Sequence, residues 1–243
     1  MNKLNSLYVS LVALVVAIAA LVMCVLCCCG NKGAMVEEAL NNNPEMIINA
    51  MQKYEQKMRD EAQAQAQKLI MDSIEEVNND ADTPFVGNKD AKVVLVEFFD
   101  YSCGYCPRLF PGLKAVIENN PDVKVAFKAL TFVSPVSDYA ARAALAANMQ
   151  GKYIEMHNGL FQVNGRLTEA KVDEVAAQIG LDMDQYRADL GSDKVRSVLA
   201  KNAELANRIQ VNGVPALILN GKMLQTIDGN VVQDALNEAK AAQ

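Results

Sequence analysis

A chain of 243 residues with 51% apolar and 21% charged residues is long enough for one packed domain and a further segment. Its formal charge of −6, with no dense Lys/Arg cluster outside the N-terminus, excludes a partner held through nucleic-acid phosphates. The six cysteines form two groups, Cys24, Cys27, Cys28 and Cys29 in an apolar N-terminal run and Cys103 and Cys106 alone in the globular part, which excludes a disulfide-stapled scaffold and leaves one reactive pair.

From Leu7 to Cys29 the chain is apolar apart from Ser10, over 23 residues, which is the length of a bilayer crossing. Lys3 and the amino terminus favour a cytoplasmic start, which places everything after Gly30 outside the inner membrane. Residues 1–33 therefore read as an uncleaved anchor, because Cys28-Cys29-Gly30 and Gly33-Ala34 are poor cleavage sites; a removed signal sequence is the alternative. The four cysteines of this run read as small apolar residues of the span.

Residues 34–80 read as helix. Met35 to Val77 is rich in Glu, Gln, Ala, Lys and Met, has no glycine, and has Pro44 as its only proline. Asn41-Asn42-Asn43-Pro44 supplies an N-cap and a proline at the first helical position, so a short helix from about Ala34 to Leu40 hands over to a long one ending near Val77. Ile47, Met51, Tyr54, Met58, Ala62, Ala66, Leu69 or Ile70, and Ile74 recur at steps of three and four and make one face apolar. Such a helix runs about 50 Å at 1.5 Å per residue, longer than a small domain is wide. The expected cover for the stripe is another copy of the chain, giving a homo-oligomer through residues 35–77; a solvated spacer is the alternative. Asn78 to Pro84 reads as a boundary loop, with the catalytic domain over 81–243.

Lys92 to Phe99 is an apolar run of strand length, and after Asp100-Tyr101-Ser102 comes Cys103-Gly104-Tyr105-Cys106 at the start of a helix ending near Asn119. Val123 to Leu130 is the next strand, so the three elements predict a βαβ unit with a parallel strand pair. Ser137 to Gln210 reads as helices broken near Gly151, Asn164-Gly165, Gly180 and Gly191. Ala216 to Leu219, the turn Asn220-Gly221 and Lys222 to Ile227 predict a hairpin, followed by a last helix from about Val231.

A Cys-x-x-Cys motif serves both metal and redox chemistry. Zinc would need two more Cys or His ligands, and His157 is the chain's only histidine; a c-type haem site would need His where Pro107 stands. No metal or cofactor is therefore expected beyond the redox-active pair itself. The free amides and dipole of the helix start favour negative charge on Cys103, the expected attacking sulfur, and Cys106, one turn on, is expected to resolve the mixed disulfide. Gly104-Tyr105 and the loop before them leave Cys103 accessible, against the alternative of an inert bridge. His157 reads as structural.

The runs Phe98 to Cys106, Val125-Ala126-Phe127-Lys128, Gly151-Lys152-Tyr153 and Gly213-Val214-Pro215-Ala216 resemble the DsbA-like family of bacterial envelope disulfide oxidoreductases, over about Pro84 to Lys240. The region before it resembles the N-terminal helices of the ScsC-like branch, whose members oligomerise through them. The resemblance implies an α/β thioredoxin fold with an all-helical insertion, preceded by the long N-terminal helix and the anchor or signal sequence. It further implies a cis Pro215 facing the cysteines, with Val214 shaping substrate contact beside Gly104 and Tyr105. Glu97 and Lys128 would be the family's buried acid and lysine beneath the pair, the carboxylate assisting proton transfer from Cys106. Implied partners are cysteine-containing envelope proteins and a membrane redox partner, and the implied location is the periplasm or cell envelope. The dipeptide Gly104-Tyr105 departs from DsbA and resembles the isomerase DsbC, while Val214 is the DsbA choice. An oligomeric isomerase or reductase is the first reading, with a DsbA-type oxidase and a Cu(I)-binding or chaperone module as alternatives.

Overall fold

The structure, a computed structural model, describes residues 12–24 and 32–242. It divides into two compact units with the boundary between Ala62 and Gln63.

In the first unit residues 12–24 are helical (α1), followed by α2 (Lys32–Asn42) and α3 (Glu45–Asp72), which runs on past the boundary. Asn43 and Pro44 separate α2 from α3, where the proline was expected to start a helix. Among the described residues no helix is long and apolar enough to cross a membrane. The span expected over Leu7–Cys29 has both its ends, with Cys27, Cys28 and Cys29, outside the described residues. Ile47, Met51, Tyr54 and Met58 of α3 are all exposed, at 47%, 59%, 65% and 47%.

The second unit begins earlier than expected. Ile70 and Val77 are buried against one face of a sheet together with Val96, Phe98 and Ile218. The end of α3 and the following α4 (Ile74–Asn79) are thus part of the domain's core, and the boundary expected at residues 80 and 81 moves to Gln63.

The sheet has five strands, β1 (Phe85–Gly87), β2 (Val94–Phe99), β3 (Lys124–Ala129), β4 (Ala216–Leu219) and β5 (Lys222–Leu224), in the order β1-β3-β2-β4-β5. β2 and β3 are parallel, from Val94 beside Lys124 to Phe99 beside Ala129, and α5 (Cys106–Asn119) joins them as the predicted βαβ unit. The other pairings are antiparallel. Asn220 and Gly221 turn β4 into β5 with φ of 47° and 84°, the positive values that a two-residue hairpin turn takes. β1 was not anticipated, and β5 stops at Leu224 rather than Ile227.

Between β3 and β4 lie α6 (Pro135–Met149), α7 (Tyr153–Phe161), α8 (Glu169–Gln178), α9 (Met183–Leu190) and α10 (Asp193–Arg208), and α11 (Gly229–Ala241) closes the chain. The breaks fall where the glycines were, and Gly151, Gly165 and Gly180 take φ of 70°, 73° and 72°. The core of this insertion is α6, whose Ala140, Ala141, Ala143, Ala144, Ala146 and Ala147 are all buried, because small side chains let neighbouring helices approach. Tyr139 of α6 and Tyr186 of α9 both donate to Asp173 Oδ1 of α8, at 2.7 and 2.9 Å.

One sheet face carries Leu95, Phe99, Val125 and Phe127 and is covered by α5, α11 and the insertion; the other carries Val94, Val96, Phe98 and Ala126 under the end of α3, α4 and the end of α10. The helix that starts at Cys106 is seated by a glycine contact. A Cβ on Gly112 of α5 would lie 2.8 Å from Gly229 Cα, and one on Gly229 would lie 2.5 Å from Gly112 Cα. Gly229→Ala is therefore expected to force α11 off α5 and destabilise the fold by about 1–3 kcal/mol, read as a lowered urea midpoint at unchanged m-value.

Candidate active site

The cysteine pair sits where β2 ends and α5 begins. Asp100, fully buried, organises the approach: its Oδ1 accepts from Ser102 N at 2.8 Å, its Oδ2 from Val133 N at 3.0 Å, and its carbonyl from Cys103 N at 3.0 Å. One carboxylate thus fixes both the loop carrying Cys103 and the loop after β3. An aspartate two residues before a polar residue at a strand end is the local signal for the first of these bonds; nothing local signals the second.

Both cysteines are free thiols. Cys103 keeps 7% of its surface and Cys106 only 1%. Cys103 Sγ lies 3.3 Å from Val214 O, to which it donates, and accepts from Tyr105 N at 3.4 Å. The Val214–Pro215 peptide bond is cis, and the Val214 carbonyl faces the sulfur. Tyr105 caps α5 and is 57% exposed, with the Arg108 guanidinium over its ring at 5.1 Å. Gly104 is exposed beside it. Burial pushes the Cys106 thiol well up, with the charges of Cys103 and Glu97 adding to the effect. A mostly buried thiol that borders a cleft and lies against a backbone carbonyl, with a second thiol sealed behind it, suits attack by the first and release by the second.

Glu97 is 2% exposed, its Oε2 is buried without a partner, and burial pushes its carboxyl up to about 8. It shares the sheet face of Phe127, Tyr101 and the cysteines, where its charge would bear on Cys106, Tyr101 and Tyr153. Lys128 does not join it. In the parallel register Glu97 stands beside Phe127, and Lys128 beside Phe98, so the two side chains leave opposite faces of the sheet. Lys128 instead donates to Thr83 Oγ1 at 2.8 Å and reaches Asp80 Oδ2 at 3.4 Å, and the expectation that it lies beneath the cysteines is corrected.

His157 is buried within an aromatic cluster, with ring centres 5.0 Å from Phe99, 4.7 Å from Phe127 and 4.9 Å from Phe161. Its Nδ1 shares a hydrogen bond with the Tyr101 hydroxyl at 3.1 Å, and burial drives its pKa down to about 3. It packs the insertion against the loop that carries Cys103. Among the described residues no group of three or more His, Cys, Asp or Glu side chains is placed to hold a metal ion.

Glu97 and His157 give stability opposite slopes with pH. Between about pH 4.5 and 8 the unfolded chain has lost the Glu97 proton that the folded chain keeps, so stability falls as pH rises through that window. Between pH 6.5 and about 3 the unfolded chain binds a His157 proton that the folded chain excludes, so stability falls as pH drops. Glu97→Gln is expected to remove the first slope and leave the second, in urea midpoints taken from pH 4 to 9.

A family model described as a DSBA-like thioredoxin domain matches residues 94–241. Among solved structures, Proteus mirabilis ScsC in a transitional conformation is 30% identical, superimposes with a TM-score of 0.67, and is matched over 86% of this chain and 95% of that one. Among curated proteins, a putative protein-disulfide oxidoreductase of Rickettsia typhi is 28% identical over 176 residues, covering 67% of this chain and 62% of that protein. The Na(+)/H(+) antiporter NhaA 3 of Salinispora tropica is 30% identical over 138 residues, which are 56% of this chain and 21% of the antiporter. The chain spans about a fifth of the antiporter's length.

Proposed function

The chain belongs to the DSBA-like thioredoxin-domain family, and from that premise we propose that it is a thiol–disulfide oxidoreductase acting on the cysteines of proteins in the bacterial envelope. The observation that carries this reading is the unequal pair, with Cys103 partly open beside the Val214 carbonyl and Cys106 sealed above an unpartnered Glu97. In this reading Cys103 attacks a client disulfide and Cys106 displaces the client. Glu97, whose charge bears on Cys106, assists the movement of the Cys106 proton. Gly104, Tyr105 and Val214 border the attacking sulfur and contact the client, and Pro215 holds Val214 in place.

The direction of exchange follows from the dipeptide. Gly104-Tyr105 offers no cationic side chain to hold the reduced pair, which favours an isomerase or reductase over a donor of disulfides. The exposed stripe Ile47, Met51, Tyr54 and Met58 fits self-association through residues 35–62, and the apolar run over residues 7–29 fits an inner-membrane tether or a signal sequence with the domain outside. A membrane-bound partner would then reset the pair. Val214 before Pro215 favours the second reading, a DsbA-type oxidase.

Equilibration with glutathione tests the reading and separates the two directions. A reduction potential near about −180 mV or below is expected, and one near about −120 mV would establish a strong oxidant. Replacing Gly104-Tyr105 by Pro-His is expected to raise the potential by stabilising the reduced form, and an unchanged or lower value would overturn the role given to the dipeptide.

A further inference from the structure

Cys103 opens on a cleft of about 400 Å³ between the loop after β3 and the end of α7. We propose that this cleft selects client segments in which a large apolar side chain adjoins the cysteine and a carboxylate follows nearby, the apolar side chain filling the cleft and the carboxylate pairing with Arg166. The inference rests on the reading of the chain as a thiol–disulfide oxidoreductase and adds to it the kind of sequence that is attacked.

The cleft has one chemistry on its walls and another at its rim. Val133, Val136, Leu160, Phe161 and Leu167 line it, and its volume lies within the range of about 300–1,000 Å³ in which proteins hold ligand groups. Exposed Phe132 extends the apolar surface past Val133. Arg166 is the one charged side chain among the lining residues, and it makes no ion pair among the described residues.

The backbone presents that charge in a fixed place. Gly165 takes φ of 73° and turns the chain after α7, and Lys171 Nζ then donates to Asn164 O at 2.7 Å and Arg166 O at 3.1 Å. The Arg166 main chain is clamped from behind while its side chain stays exposed. On a chain of formal charge −6, a cation at the rim of the nucleophile's cleft, unpaired among the described residues, marks the point where a client carboxylate is attracted rather than repelled. The neighbouring cleft between α5 and α11 is lined by Arg108, Asn119, Asp228 and Gln233 among others, without Cys103, and offers no comparable apolar wall.

The step itself needs no outside oxidant or reductant. The Cys103 thiolate forms a new S–S bond with the client sulfur, the client's own S–S bond breaks, and the electron pair leaves on the departing sulfur.

The test uses the full chain with Cys106→Ser, so that the reaction stops at the mixed disulfide. The probes are short peptides with one cysteine disulfide-bonded to mercaptoethanol, carrying Leu or Ser beside the cysteine and Glu or Lys two residues further on. The Leu/Glu peptide is expected to react about 5-fold faster than Leu/Lys at low salt, the gap closing at high salt. Arg166→Glu inverts that order and Arg166→Ala abolishes it, and exchanging Leu for Ser slows the unsubstituted-Arg166 protein about 5-fold or more. Hydroxyethyl disulfide, uncharged and too small to reach Arg166, reports exchange alone. If it fails to react, the oxidoreductase reading falls; if it reacts equally with every Arg166 variant while the four peptides show no preference, the cleft assignment alone is overturned.

Discussion

Replacing Cys103 by serine is expected to abolish disulfide exchange, by at least about 10³-fold, while Cys106→Ser leaves a protein that still attacks and then stays joined to its clients. The asymmetry follows from position. Cys103 keeps the larger share of surface and has the cleft and the Val214 carbonyl, whereas Cys106 is sealed and its thiol is pushed up by burial. Cys106 therefore attacks only when the mixed disulfide is held three residues before it, at the mouth of α5, where proximity replaces an encounter from solution. Mass spectrometry of adducts formed in the Cys106→Ser protein should place every client on Cys103. Adducts formed through Cys106 in the Cys103→Ser protein, at comparable rates, would reverse the two roles.

The second large effect concerns the helical region. A chain starting at Met35 is expected to be a dimer or trimer that reshuffles scrambled disulfides, and one starting at Gln63 a monomer that keeps dithiol oxidation and loses most isomerase activity. An isomerase gains from several active sites held at high effective concentration around one misfolded client, since each failed attack is followed by another nearby. A lone oxidase gains nothing from it. The cut belongs at Gln63 because Ile70 and Val77 are core residues, and a chain starting near Asp82 would expose the sheet face they cover. Light scattering on both chains, with a scrambled-substrate assay, decides the matter: a monomeric long chain, or a short one of equal isomerase activity, reduces the helix to a spacer.

What could be read from the sequence is what is encoded locally. Asn220-Gly221 sets its own turn, Cys103 and Cys106 declare a redox pair by spacing and by the lack of other ligands, and the glycine breaks of the insertion stop helices wherever they stand. What could not be read depends on which surface meets which. The apolar stripe of residues 47–74 is continuous in sequence, and nothing in it says that Ile70 meets the sheet while Met58 is exposed. Lys128 was placed on the wrong face because a strand's neighbours alternate, and a position matched by resemblance carries no register with it. β1 has three residues, too few for any periodicity to appear.

The carboxylate of Asp100 holds Ser102 with one oxygen and Val133 with the other. The nucleophile's loop and the wall of its cleft are therefore gauged from a single reference point, and the gap between them is set by the span of one side chain. Substitutions along the wall, at Val133 or Val136, can change what the cleft prefers without changing how far a client must reach to meet the sulfur. A lineage of such proteins could retune its clients at the lining and keep the same working distance for as long as that aspartate stayed.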